Sequence, residues 1–485
     1  MINFRIIARA LGGLMLLEAL LLLACLGVAI FYGEGHWHPW LVPAGICFLL
    51  GMTGVGVGYH AHNNFNRRDG YLIVATVWII YTAVGMLPFL LGGHTDRVAV
   101  AFFETMSGFT TTGATAFSDV DALPHSILFW RALTHWIGGM GIIFFTLALL
   151  PALGIGEQKL FSAEATGLKM GKLHPRISTT AHWLWMVYFL LTLASMLTYY
   201  FGGMGLFDAV CHSLATVATG GFSTHTDSMA WFNSPFLEYA STVFMLLSSI
   251  NFTLLYLLFI KQRFKQVWRD EELRLFVGII LLSVVIITFT RWIEQGVISE
   301  SSFRSSLFHT VSLISTTGFT TDDFMLWPHL AWIVLTVICV IGSCSGSTSG
   351  GIKMVRVLTS IKIVRSEFKH ILHPRAVLPV RINKDYLGSS ITQSIFAYTF
   401  FYIVLIGLGS AAMTMMHLPI LDAVSLSISA FSNVGPTIGH LIGPLDGWGI
   451  IPDTALWINS FLMIVGRLEI FSLLLPFVPS FWRDN

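Results

Sequence analysis

The sequence predicts an all-α polytopic membrane protein with ten transmembrane helices, arranged as four pseudo-symmetric helix–pore-loop–helix repeats around one central pore. Three observations carry this expectation. Of 485 residues, 55% are hydrophobic and 11% charged, too few charges to cover a soluble chain of this length. Ten apolar stretches approach the length of about 20 residues that a helix needs to cross a bilayer. Four short glycine- and hydroxyl-containing segments recur between them.

In chain order the apolar stretches cover roughly 9–32, 40–59, 71–92, 126–150, 182–201, 236–260, 274–295, 330–362, 391–415 and 454–477. The first follows Arg5 and Arg9 in the manner of a signal peptide, but it is longer than a signal h-region and lacks a cleavage site, so it reads as a retained helix. The division that follows is 1–69 for two leading helices, then repeats at 70–160, 161–270, 271–375 and 376–485. Each repeat places an apolar run of about twelve to fifteen residues before its glycine segment. That is too short to span, and fits a re-entrant helix enclosed by protein or water. The larger linkers lie at about 151–181 and 363–390.

The basic residues orient this topology. With the N-terminus in the cytoplasm, 22 of the 27 Lys and Arg residues fall on cytoplasmic segments. Arg97, Arg131, Arg291 and Arg304 fall outside, and Arg467 lies within the tenth stretch. The positive-inside rule therefore puts both termini in the cytoplasm and all four re-entrant segments on the outer face.

The recurring segments align without gaps on Gly113, Gly221, Gly318 and Gly435. Thr111, Thr219, Thr316 and Asn433 then stand two residues before the glycine, with Thr112, Gly220, Thr317 and Val434 between. Glu104, His212 and His309 share the position nine before it, and Asp208 and Asp422 the position thirteen before it. An acidic residue there suits the start of a short helix, as an N-cap. Four converging helix C-termini would direct partial negative charge into one cavity. Glycine permits the φ values that turn successive carbonyls to one side. Such a cage suits a dehydrating monovalent cation, and it lacks the clustered carboxylates that Ca²⁺ or Mg²⁺ would require. One such segment could equally be small-residue helix packing; four in register argue against that.

On these segments the chain resembles the Trk/Ktr/HKT superfamily of potassium transporters, over essentially its full length and including the two leading helices. The resemblance implies one pore per chain and a K⁺ filter with one glycine per repeat. That filter would be formed by Thr111, Thr112, Gly113, Thr219, Gly220, Gly221, Thr316, Thr317, Gly318, Asn433, Val434 and Gly435. It further implies K⁺ (or Rb⁺) as the transported ion, a bacterial inner membrane location, a homodimer, and a separate cytosolic nucleotide-binding subunit of the TrkA type. The fourth segment departs from the pattern, with Asn433 and Val434 for Thr-Thr and Pro436 for Phe.

Two further features interrupt apolar stretches. Gly342-Ser-Cys-Ser-Gly-Ser-Thr-Ser-Gly-Gly351 breaks the eighth, and irregular backbone at that depth must be enclosed. It reads as a gating loop, with Gly342, Gly346, Gly350 and Gly351 as its flexible positions; the alternative is a break without function. Its Walker-like spacing leaves the lysine displaced, at Lys353, so nucleotide binding is rejected. Arg467, in Ile464-Val-Gly-Arg-Leu-Glu-Ile470, is a costly charge at membrane depth. It reads as pore-facing, against an alternative of a structural ion pair such as one with Glu469.

Other chemistries find little support. The 17 histidines show no pair spaced to ligate a metal or haem on one helix, and His212 and His309 read as packing residues of short helices. The five cysteines read as packing residues. No dinucleotide fingerprint is fused to the chain, no nucleic-acid partner is expected, and the protein is expected not to be an enzyme. The leading function is channel-like potassium uptake. A Na⁺- or H⁺-coupled symporter is the alternative, and an intramembrane redox or hydrolytic enzyme a distant third.

Overall fold

The computed structural model describes residues 2–60, 66–141, 177–296, 299–376, 378–383 and 385–483. Most of the 151–181 linker, with its four basic residues, and the end of the 126–150 stretch lie outside them.

Two long helices open the chain, α1 (Phe4–Phe31) and α2 (His38–Gly58). They pack closely because small residues face each other: a Cβ on Gly54 would lie 2.7 Å from the Ala8 carbonyl. Next come α3 (Arg67–Gly85), the short α4 (Val98–Phe109) and α5 (His125–Gly139). The same order then recurs: α6 (Ile177–Phe201), short α7 (Leu206–Val217) and α8 (Pro235–Ser249), the last followed by α9 (Phe252–Phe259). The third set is α10 (Glu271–Gln295), α11 (Glu300–Ile314) and α12 (His329–Ile341), followed by α13 (Met354–Leu372). The fourth is α14 (Ser389–Met415), α15 (Ile420–Ser432) and α16 (Asp453–Arg467), with α17 (Phe471–Leu474) after it. A two-stranded antiparallel hairpin, β1 (Arg381–Ile382) and β2 (Asp385–Tyr386), precedes α14.

Among the described residues, six helical stretches are long and apolar enough to cross a membrane, and two bent pairs bring the number to eight. The short helices α4, α7, α11 and α15 have 12, 12, 15 and 13 residues, the re-entrant length expected from sequence.

The helices after the glycine segments differ from expectation. The stretches 236–260 and 454–477 were expected as unbroken helices. The first bends by 108° between Ser249 and Phe252, and the second by 110° between Arg467 and Phe471. At the first break the Asn251 side chain caps α9 by accepting from the Thr253 N–H at 2.8 Å. At the second, Glu469 and Ile470 both take left-handed φ, 55° and 54°. With α5 ending at Gly139 and α12 at Ile341, all four helices of this class stop after 13 to 15 residues.

The apolar core has two large parts. One joins residues between Ile6 and Ile137 to residues between Tyr398 and Leu473, and the other runs from Met140 to Met354. Val434 and Ile438, from the fourth segment, pack into the second part and so tie the halves together across the glycine segments.

Candidate ion-conducting site

Each short helix ends in the same way. Thr112 N–H reaches the Ser107 carbonyl and Thr111 N–H the Gly108 carbonyl, at 2.9 and 3.1 Å. Gly220 and Thr219 bond likewise to Ala215 and Thr216, Thr317 and Thr316 to Ser312 and Leu313, and Val434 and Asn433 to Ser429 and Ala430. This is the Schellman arrangement, which requires a left-handed residue just past the helix. That residue is not glycine in any of the four: Thr111, Thr219, Thr316 and Asn433 have φ of 54°, 54°, 56° and 57°. A left-handed β-branched residue costs roughly 1–2 kcal/mol and persists only where its surroundings impose it.

The glycine two residues later is left-handed as well, with φ from 76° to 98° at Gly113, Gly221, Gly318 and Gly435. There the strands touch. A Cβ added to Gly113 would lie 2.0 Å from the Gly220 carbonyl oxygen, and one on Gly221 2.0 Å from that of Thr317. From Gly318 the contact is the Val434 oxygen at 2.1 Å, and from Gly435 the Thr112 oxygen at 2.6 Å. The contacts run from first segment to second, third, fourth and back to first. Eight of the twelve residues singled out from the repeat thus meet in one closed ring of main chain, and Thr111, Thr219, Thr316 and Asn433 each stand one residue before it. A cavity on one side of it is lined by the four glycines, Arg131 and His225 among others.

In the first three segments the residue nine before the glycine braces the strand; in the fourth that position is the apolar Leu426. The Glu104 carboxylate accepts from the Ala116 N–H at 2.7 Å and from the Thr115 hydroxyl at 3.0 Å. His212 Nε2 lies 2.9 Å from the Ser223 hydroxyl, and His309 Nε2 accepts from the Thr321 N–H at 3.3 Å. The histidines make the bonds that a carboxylate makes in the first segment. Glu104 is itself buried and paired with buried Arg131 at 2.8 Å. Arg131 in turn donates to the Ser223 carbonyl at 2.9 Å and covers the Phe222 ring at 4.1 Å, which joins the first two segments. Sequence reasoning put Glu104 in register but missed Arg131, which has no counterpart in the other repeats.

Asp208 and Asp422 are not N-caps. Gly205 and Pro419 hold those positions, and the two aspartates sit in the first helical turn. They reach forward instead: Asp208 accepts from the Thr224 hydroxyl at 2.7 Å, and Asp422 from the Leu441 N–H at 2.8 Å.

On the helix-C-terminal side of the ring lies the loop 342–351. The chain leaves α12 and returns beside it, with the Ile352 and Lys353 N–H groups bonded to the Val340 and Ile341 carbonyls, both at 3.0 Å. Between these points the loop is tied to the second, third and fourth repeats. Gly350 N–H donates to the Thr316 hydroxyl at 2.7 Å, Gly351 N–H to the Ser432 carbonyl at 3.0 Å, and Cys344 N–H to the Ser249 carbonyl at 3.2 Å. The Gly346 carbonyl accepts from Phe252 N–H at 3.0 Å. Thr219 donates its hydroxyl to that of Thr348 at 3.1 Å. Arg467 completes the set: it donates to the Thr348 carbonyl at 2.6 Å and to the Gly138 and Gly139 carbonyls at 2.6 and 3.0 Å. The alternative partner considered for it, Glu469, forms an ion pair with Arg356 of α13.

A bundle of membrane-length helices around a ring of carbonyls, with an irregular loop beneath, has the architecture of a membrane transport protein. Comparison with known proteins specifies the class. The profile of the TrkH family, described as cation transport protein, matches residues 43–484. The Trk system potassium uptake protein TrkH of Escherichia coli K12 is 36% identical over 99% of this chain and all of its own length. The potassium uptake protein TrkG of the same organism is 33% identical over 99% of both chains. The crystal structure of the potassium transporter TrkH from Vibrio parahaemolyticus superposes with a TM-score of 0.87 at 35% identity, over 99% of this chain and all of that one. The chain belongs to the TrkH family, whose members are transporters and not enzymes.

Proposed function

We propose that this chain takes up potassium across the inner membrane of a bacterium, through one pore formed by four helix–pore-loop–helix repeats and two leading helices. The observation that carries the reading is the closed ring at Gly113, Gly221, Gly318 and Gly435, in which four strands repeat the same two left-handed turns. Such a ring can replace the water shell of a monovalent cation with carbonyl oxygens held at fixed spacing. The residues from Thr111 to Gly113 and their counterparts then bind K⁺. The relatives named as potassium uptake proteins support that choice of ion.

The loop 342–351 acts as the gate, and Arg467 adds a positive charge beside it. A cation passing the ring meets both, and must wait for the loop to move. The distribution of 22 of 27 basic residues supports cytoplasmic termini. A homodimer and a TrkA-type cytosolic partner complete the assembly.

The test is Rb⁺ flux into liposomes holding the purified chain. Uptake should proceed down a K⁺ gradient alone, with Na⁺ a poor competitor. Uptake that requires a Na⁺ or proton gradient would replace the channel-like reading with coupled symport.

A further inference from the structure

The gate reading leaves open what keeps the loop in place from the side opposite the ring. Glu272, in the first turn of α10, is fully buried, and its carboxylate accepts from the Ser345 N–H of the loop at 2.5 Å. It comes from a helix outside the segments that flank the loop.

The start of α10 is in turn gripped by the hairpin. Asp270 caps the helix by accepting from the Leu273 N–H at 2.9 Å, and accepts from the Asn383 side-chain amide at 2.6 Å. Asn383, at the hairpin turn with φ of 52°, also accepts from the Glu271 N–H at 2.9 Å. Glu271 forms an ion pair with Lys362 of α13, which donates to the Arg381 carbonyl at 2.7 Å. One hairpin therefore holds both the helix that carries Glu272 and the helix into which the loop continues.

We propose that Glu272 is the positioning residue that holds the loop closed, and that displacement of the β1–β2 hairpin is transmitted to the loop through it. The proposal rests on the reading of the loop as the gate. Losing the carboxylate frees the Ser345 N–H, and the loop then samples open positions more often. A pull on the hairpin does the same by moving the α10 start away from Ser345.

The experiment measures Rb⁺ flux, Na⁺ competition and thermal unfolding on the full-length chain in liposomes. Glu272→Ala should raise flux roughly tenfold, the scale set by one hydrogen bond to a charged group, with ion preference unchanged. Glu272→Gln keeps an acceptor oxygen and should stay near the parent. Asn383→Ala, at a half-buried position, should raise flux as well and add little on top of Glu272→Ala, since both act on one tie. Deletion of 346–350 serves as the reference. If the deletion raises flux and neither Glu272→Ala nor Asn383→Ala does, Glu272 is not the hold although the loop is the gate. If the deletion itself fails to raise flux, the gate reading falls and this proposal with it. A Glu272→Ala protein that does not fold leaves Asn383→Ala to decide: unchanged flux in that variant overturns the coupling.

Discussion

Arg467 and Thr348 are joined by a hydrogen bond of 2.6 Å from guanidinium to main-chain carbonyl, which ties the end of α16 to the middle of the loop. The same side chain reaches the end of α5. Arg467 is therefore a clamp between the loop and the ends of α16 and α5.

Its replacement should open the path in two ways at once. Arg467→Ala removes the electrostatic barrier and the loop tie, so Rb⁺ flux should rise. Arg467→Lys keeps the charge but cannot reproduce the forked geometry, and should give intermediate flux. Because Glu469 is engaged with Arg356, Glu469→Gln should not restore Arg467→Ala. It should instead lower stability on its own, since Arg356 is nearly buried. Flux and unfolding temperature of the two single variants and the double variant check each point.

The ring glycines should tolerate no side chain. At Gly113 a Cβ would sit 2.0 Å from the Gly220 oxygen, and φ is 76°. The obstruction is main chain and cannot rotate away. Gly113→Ser should therefore distort the neighbouring strand and reduce the preference for Rb⁺ over Na⁺, measured as Na⁺ inhibition of Rb⁺ uptake. Gly113→Ala combined with Gly318→Ala should be worse than either alone. Unchanged competition in properly inserted Gly113→Ser would remove Gly113 from the filter.

The Glu104–Arg131 pair is the buried brace between the first two segments. Arg131→Leu leaves a buried carboxylate unpaired, which costs about 3–5 kcal/mol. The expected result is poor yield and a markedly lower unfolding temperature. Glu104→Gln keeps an acceptor for Thr115 but places a neutral group against Arg131, and should destabilise less. Equal stability of all three proteins would show that the pair contributes nothing.

In the cavity beside the ring, His225 lies 2.7 Å from Asp121 and 3.6 Å from Asp208, stacked on Trp231 at 4.4 Å. Burial works against the charged imidazole, but the hydrogen bonds and charges of Asp208 and Asp121 outweigh it and hold His225 above its ordinary value. Burial likewise opposes the charged form of Asp121, yet its bonds to Thr226 and His225 hold it below the ordinary carboxylate range. A raised imidazole contributes stability that is complete below about pH 6.5 and is lost as the pH rises through the folded value. A lowered carboxylate contributes stability that is complete above about pH 4 and is lost on acidification. The cluster is thus tightest between these limits. Parent protein should lose more thermal stability than His225→Asn between pH 6 and pH 8, and parallel curves would exclude the cluster as the cause.

Much of this site was legible because it is written four times. The repeat exposed the ring glycines, the loop was betrayed by four glycines in an apolar stretch, and Arg467 stood out as a charge at depth. Four features were not legible. The break at Ile250–Asn251 has neither glycine nor proline, and its cap is a single asparagine amid apolar residues. The break after Arg467 rests on Glu469 and Ile470 in left-handed conformations, which only the tertiary surroundings can impose. Thr111, Thr219 and Thr316 were aligned correctly, yet their left-handed φ runs against the preference of threonine, so no local rule announces it. Glu272 carried no signal in the sequence, because its partner is 73 residues away.

The closest contacts around the ring run from glycine to main-chain carbonyl. What must be preserved in each quarter is a trajectory of the main chain, and several spellings can trace it. Asn433 adopts the same turn as three threonines, and Val434 offers the same oxygen as Thr112, Gly220 and Thr317. The last quarter can thus drift in letters while keeping its shape. A glycine has no such latitude, because each one presses on its neighbour, and an error in one quarter is passed around the whole circle.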